Sequence, residues 1–102
     1  MDERMLIHPG EVLKEDFMAP LGLSASRLAA AIDVPTNRIT EIINGTRRVT
    51  GETALLLGHV CGTTPDFWLN LQTQYDLDRA KGLISEASLR RADQFRQELV
   101  HA

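Results

Sequence analysis

Residues that break helices recur along this chain so closely that only short helices fit between them. Pro20 and Gly22, Asp33-Val34-Pro35, Asn44-Gly45, Gly62 with Thr64-Pro65, and Lys81-Gly82 punctuate it. Between these points apolar residues return at intervals of three and four, the period of a helix that buries one face. Val12, Leu13 and Phe17 form such a face in the first segment. Leu28, Ala29 and Ile32 form one in the second, and the stretch from Thr36 to Ile43 makes a third helix. Ala54, Leu55, Leu57 and Val60 read as the core side of a fourth. A fifth carries Phe67, Trp68, Leu69, Leu71, Tyr75 and Leu77, and a last one, from Ser85 to Val100, has Leu89, Ala92, Phe95 and Leu99 at helical spacing. No strand-like alternation of useful length, repeat or low-complexity stretch is present. The pattern predicts an all-α chain.

The ends of these helices are also readable. His8-Pro9-Gly10-Glu11 is a helix start: proline lacks the N–H that would go unpaired there, and Glu11 suits the positive end. Ser24 or Ala25 begins the second helix. Thr36, Thr50 and Thr64 are expected to cap the third, fourth and fifth. Pro20 with Gly22 should stop the first, Asn44-Gly45 the third, and Lys81-Gly82 the fifth. At 102 residues the chain has room for one small core. Residues 1–82 are expected to form the domain and residues 83–102 a helical extension.

Several function classes fall away on composition. The single cysteine, Cys61, excludes an internal disulfide framework and a cysteine-based zinc site within one chain, and it suits a reducing compartment. No apolar run approaches the roughly 20 residues that span a bilayer. The start, Met1-Asp2-Glu3-Arg4-Met5, is acidic and lacks the order of a signal peptide. The expected location is the cytoplasm. His59 and Cys61 lie two apart, on different faces of a helix, so they make a poor nucleophile–base pair. His8, His59 and His101 lack the spacing of metal ligands. Neither an enzyme nor a cofactor is expected.

What remains is the pair of helices around Asp33. Ala29 precedes Asp33 by four residues and Ile39 follows it by six. A helix-turn-helix needs this order: a small residue where the second helix crosses, a turn residue that accepts a left-handed backbone, and an apolar residue that returns to the core. Aspartate tolerates positive φ, though glycine tolerates it better. Charge points the same way. The formal net charge is −3, which disfavours a protein that coats nucleic acid by bulk charge. Residues 24–50, however, hold Arg27, Arg38, Arg47 and Arg48 against Asp33 and Glu41. They are the net positive part of an otherwise acidic chain.

In that segment Thr36, Asn37, Arg38 and Thr40 are candidates for reading base edges in the major groove. Glu41 either accepts from a cytosine amino group or pairs with Arg38 or Arg48. Arg27, Asn44, Thr46, Arg47 and Arg48 are candidates for the phosphate backbone. Four arginines per protomer give modest affinity, and two half-sites call for a homodimer. Phe67, Trp68, Leu71 and Tyr75 are the candidate dimer contacts. A helical bundle that binds proteins rather than DNA shares the same spacings.

Three stretches together resemble a known family. They are His8-Pro9-Gly10-Glu11, the helix-turn-helix with Asn44-Gly45-Thr46-Arg47-Arg48, and the run from Thr63 to Leu77 with Pro65-Asp66-Phe67-Trp68-Leu69 and Gln72-Thr73-Gln74-Tyr75-Asp76-Leu77. Over residues 6–80 the chain resembles the HigA antitoxins, Xre-type helix-turn-helix regulators akin to phage repressors. The resemblance implies a dimeric, five-helix fold, here with an additional C-terminal helix. It implies binding to double-stranded operator DNA in the protein's own promoter. It also implies a HigB-type toxin partner, a RelE-like ribonuclease. The alternative is a stand-alone Xre-family regulator without a toxin. Asp33 departs from the most favourable turn residue of the family.

Overall fold

The computed structural model describes residues 6–101. The acidic start read from residues 1–5 lies outside them. Six helices follow one another, and no strand occurs among the described residues. Helix α1 begins as Pro9–Val12, widens to π winding over Leu13–Met18 and ends as Ala19–Leu21. Next come α2 (Ala25–Ala31), α3 (Thr36–Ile43), α4 (Gly51–Cys61), α5 (Pro65–Leu83) and α6 (Glu86–His101).

Of the pair expected to stop α1, Gly22 ends it and Pro20 lies inside its last turn. In an α-helix its ring would press on the carbonyl four residues back. Here the Ala19 N–H already reaches five residues back, to the Lys14 carbonyl, so the wider winding absorbs the proline. The helix ends at Gly22, in the left-handed conformation.

The start of α1 uses a cap outside the usual polar set. His8 is buried, and its Nδ1 accepts the Gly10 N–H at 2.9 Å. Ser24 Oγ accepts from Arg27 N, and Thr64 Oγ1 from Phe67 N, as expected of caps. Thr50 takes the cap position of α4 without a capping side-chain bond. Thr36 is the first helical residue of α3 rather than its cap. Pro35 holds the cap position, because its fixed φ leads into the helix and Thr36 is drawn inside.

The core gathers Leu13 and Met18 from α1, Leu28 and Ala29 from α2, Ile39 and Ile42 from α3, Val49, Ala54 and Leu57 from the α4 region, and Trp68 from α5. Trp68 is fully buried, and its Nε1 donates to Thr63 Oγ1 at 2.7 Å. That removes it from the candidate dimer contacts. In α4 the buried side is Thr53, Ala54, Leu57 and Gly58, while Leu55 and Val60 are exposed. Four apolar residues cannot all share one helical face, and the α4–α5 junction selects which do. Gly58 lies so close to residues 63–65 that a Cβ there would sit 3.1 Å from the Thr63 carbonyl oxygen.

Helix α5 passes through Lys81-Gly82 and ends only at Ile84, whose extended backbone breaks it. Helix α6 buries none of its residues: Leu89, Phe95 and Leu99 are exposed despite their helical spacing. The chain is correspondingly long, with extents of 58 × 31 × 21 Å. Its radius of gyration is 18.0 Å, against about 13 Å for a compact chain of this size. No helix of the described residues is long and apolar enough to cross a membrane.

Candidate nucleic-acid interface

The turn between α2 and α3 is built as the spacing around Asp33 requires. Asp33 has φ 58°, the one positive φ outside glycine among the described residues. That conformation lets two backbone bonds close α2. Asp33 N–H donates to the Ala30 carbonyl at 3.3 Å, and Val34 N–H to the Ala29 carbonyl at 3.0 Å. Ala29 is buried where α3 packs, and Ile39 returns to the core with full burial.

Helix α3 presents its first turn outward. Thr36 and Asn37 are exposed, and Arg38 and Thr40 are half-buried. The Thr40 hydroxyl donates to the Asn37 carbonyl at 3.2 Å, which leaves its oxygen able to accept. Arg27, at the start of α2, is also exposed. The polar residues named from the sequence therefore stand together at one end of a helix whose other side is anchored by Ile39 and Ile42.

The far end of α3 is tied to the turn that follows. Gly45, at φ 80°, reverses the chain. Glu41 then holds it with both ends of the residue. Its backbone carbonyl accepts from Thr46 N, Thr46 Oγ1 and Arg47 N at 2.9, 3.1 and 3.2 Å. Its carboxylate accepts from Arg47 Nε at 2.7 Å. The sequence offered Arg38 or Arg48 as its partner. The reversal at Gly45 brings Arg47 back over the last turn of α3 instead.

Arg48 is also engaged. Its guanidinium meets the Asp76 carboxylate of α5 at 2.7 Å. The other Asp76 oxygen accepts from Gln72 Nε2 at 3.0 Å, and Gln72 Oε1 accepts the buried Val49 N–H at 2.7 Å. Partial burial pushes the Asp76 carboxyl up, but hydrogen bonds from Arg48 and Gln72 outweigh it and hold the group below the usual range. His8 packs edge-on against Tyr75 at 4.9 Å. Burial pushes its pKa down, opposed by the nearby Asp76 charge. The basic turn is thus held from beneath by α1 and α5. Sequence reasoning gave no structural role to His8 beyond a helix start, and none to Gln72 or Asp76. Their spacing of four on α5 was the available signal, but Val49 and Arg48 lie more than 20 residues away.

Among the glycines, Gly10 makes the closest approach to another element. A Cβ there would lie 1.7 Å from the Ile42 carbonyl oxygen and 2.8 Å from Ile43 Cα. The first turn of α1 therefore rests directly on the last turn of α3.

Residues 13–68 match the helix-turn-helix family. Antitoxin HigA-1 of Vibrio cholerae is 39% identical over 75 residues, 74% of this chain and 70% of its own length. The chain belongs to the HigA-type antitoxin family of helix-turn-helix proteins. Virulence-associated protein I of Dichelobacter nodosus is 46% identical over 80 residues, covering 78% of this chain and 74% of that protein. The solved structure of Pseudomonas aeruginosa antitoxin HigA with the higBA promoter superposes with a TM-score of 0.76 at 33% identity, over 78% of this chain and 86% of that one. The all-helical, phage-repressor-like fold expected from the sequence is the one found. It is a regulator fold, not an enzyme family. The departure at Asp33 leaves the turn intact.

Of the four dimer candidates Trp68 is buried, while Phe67, Leu71 and Tyr75 follow one another at intervals of four on α5 and stay partly exposed. Phe67 is 37% exposed and packs against Phe17 and Trp68. Leu71 and Tyr75 are half-buried, and Tyr75 also lies beneath the Arg79 guanidinium, 5.9 Å from its ring centre. Further exposed apolar residues stand on the end of α5 and on α6, among them Leu83, Phe95, Leu99 and Val100, and others lie elsewhere, as at Leu21, Leu55 and Val60. Cys61 is half-buried against the core, and burial pushes its thiol up.

Proposed function

We propose that this protein is a cytoplasmic, homodimeric repressor of its own operon and the antitoxin of a HigB-type ribonuclease toxin, with neither catalytic activity nor a cofactor of its own. The observation that carries the reading is the exposed polar first turn of α3, held rigidly on the core and followed by a basic turn. A relative with this fold has its structure solved with promoter DNA. In this reading Thr36, Asn37, Arg38 and Thr40 read base edges. Arg27, Asn44, Thr46, Arg47 and Arg48 hold phosphates. Glu41 organises the turn rather than reading a cytosine, since its carboxylate is committed to Arg47. Arg47 and Arg48 keep exposed guanidinium faces beside their carboxylate partners, and a phosphate can add to or replace those contacts. Residues 1–82 act as the DNA-binding unit, and residues 83–102 extend it.

Titration of a labelled duplex from the upstream region tests the DNA half. Salt-dependent binding that Arg38→Ala and Arg47→Ala abolish supports it; unchanged binding by both variants refutes it. Co-expression with an adjacent open reading frame tests the antitoxin half. Failure of any toxin-like partner to co-purify leaves a stand-alone regulator.

A further inference from the structure

We propose that Arg79, on α5 and outside the helix-turn-helix, is an additional phosphate-gripping residue that works with the basic turn on the backbone of duplex DNA. The proposal rests on the DNA-binding reading above and extends its footprint to a helix that the reading leaves as support.

Three observations carry it. A cavity opens between α5 and the 45–48 turn, and Arg79 shares its wall with Thr46, Arg47, Arg48, Tyr75 and Asp76. Three arginines therefore line one concavity, with Asp76 the single acidic residue among its lining. Next, the three are not equally engaged. Arg47 is paired with Glu41 and Arg48 with Asp76. Arg79 makes no ion pair among the described residues and lies over the Tyr75 ring instead. A ring face holds a guanidinium by cation–π attraction without supplying an anion, so its hydrogen-bond donors stay available for a planar oxyanion such as a phosphate. Finally, α5 is fixed relative to the turn. Gln72 binds Val49 and Asp76 binds Arg48. Positions 72, 76 and 79 follow the helical spacing of four and three, so they form one row. The row that ties α5 to the phosphate-holding turn ends in Arg79, about one helical turn past the last tie. An arginine set there meets the same strand of backbone as the turn.

A DNA phosphate contact carries no sequence information but contributes to salt dependence. Each one adds roughly 0.9 to the slope of log affinity against log salt. For a dimer, Arg79→Ala should lower that slope by about 1.8 and weaken binding on the order of tenfold per protomer at low salt. The loss should be equal on the operator and on an unrelated duplex of the same length. Arg79→Lys should keep most of the slope. The experiment measures anisotropy of both labelled duplexes across a salt series for the full-length wild type and the two variants. Sedimentation of the same samples gives the oligomeric state. An unchanged slope in Arg79→Ala overturns the proposal, as does a loss that follows dissociation of the dimer. A loss confined to the operator overturns it as well, since that marks base reading. Arg47→Ala in the same series separates the two levels. If it weakens binding while Arg79→Ala does not, the DNA-binding reading stands and this proposal fails. If the wild type binds neither duplex, both fall.

Discussion

Replacing Gly10 with alanine sets two physical arguments against each other. Gly10 sits in the first turn of α1 at negative φ. On helix propensity alone alanine is better than glycine by about 1 kcal/mol. The packing argument has the opposite sign. The new Cβ would stand 1.7 Å from the Ile42 carbonyl oxygen, 2.5 Å from its carbon and 2.8 Å from Ile43 Cα. All three are backbone atoms, so no side-chain rotation relieves the clash. Restoring even a tight 3.0 Å contact requires α1 and α3 to part by about 1.3 Å. Overpacking of this kind costs about 1–3 kcal/mol, occasionally more. A clash this deep against backbone belongs at or beyond the upper end of that range, so the net expectation is a loss of about 2 kcal/mol or more, which lowers the melting temperature by roughly 4–8 °C for each kcal/mol in a domain of this size. DNA affinity should fall as well, because the Ile42 carbonyl also accepts the Gly45 N–H that reverses the chain into the basic turn. Thermal and urea unfolding of Gly10→Ala beside Glu11→Ala, an exposed neighbour, give the number. A Gly10→Ala protein as stable as the wild type refutes the close approach on which the α1–α3 packing rests.

Other outcomes follow from the same contacts. Asp33→Gly should stabilise the protein by roughly 0.5–1 kcal/mol, since glycine adopts the φ of 58° without the Cβ penalty; urea unfolding checks it, and a destabilised variant contradicts the strained turn. Gln72→Ala strips the buried Val49 N–H of its acceptor and should cost about 1–3 kcal/mol, with a matching drop in operator affinity measured by anisotropy. His8 is held neutral by burial, so its folded pKa lies below 6.5. The unfolded chain then binds the extra proton first, and stability complete above pH 6.5 should decline as pH falls from there through the folded value. His8→Asn, which keeps a capping acceptor, should remove that part of a pH series of melting temperatures; an unaltered pH dependence rules it out.

The sequence disclosed what depends on near neighbours. Ser24, Asp33, Gly45 and Thr64 govern chain direction through bonds to residues a few positions away, and each could be placed from its type and spacing. The outward placement of Thr36, Asn37, Arg38 and Thr40 on α3 was legible for the same reason: they follow a turn that fixes which side faces out. What stayed hidden depends on contacts across the chain. Gly10 reads as a weak helix former until α3 is laid against it. Gln72 and Asp76 read as a polar helix face until the 46–50 segment folds over them. In α4, periodicity marked Leu55 and Val60 as apolar without telling which edge the α4–α5 packing would cover. In α6 it found a helix but no surface for that helix to cover.

The bond from Val49 to Gln72 means that the part of the chain proposed to read bases is smaller than the part that must fold. A segment cut at the end of α4 retains every residue proposed to read bases. It lacks the acceptor for a buried amide and the carboxylate that positions Arg48. Transplanting the α2–α3 pair into another scaffold would meet the same difficulty, because the turn after α3 takes its shape from a helix that begins some 20 residues later. For anyone redesigning operator preference, the workable unit of exchange extends at least to Asp76, although the residues proposed to read bases stop at Thr40.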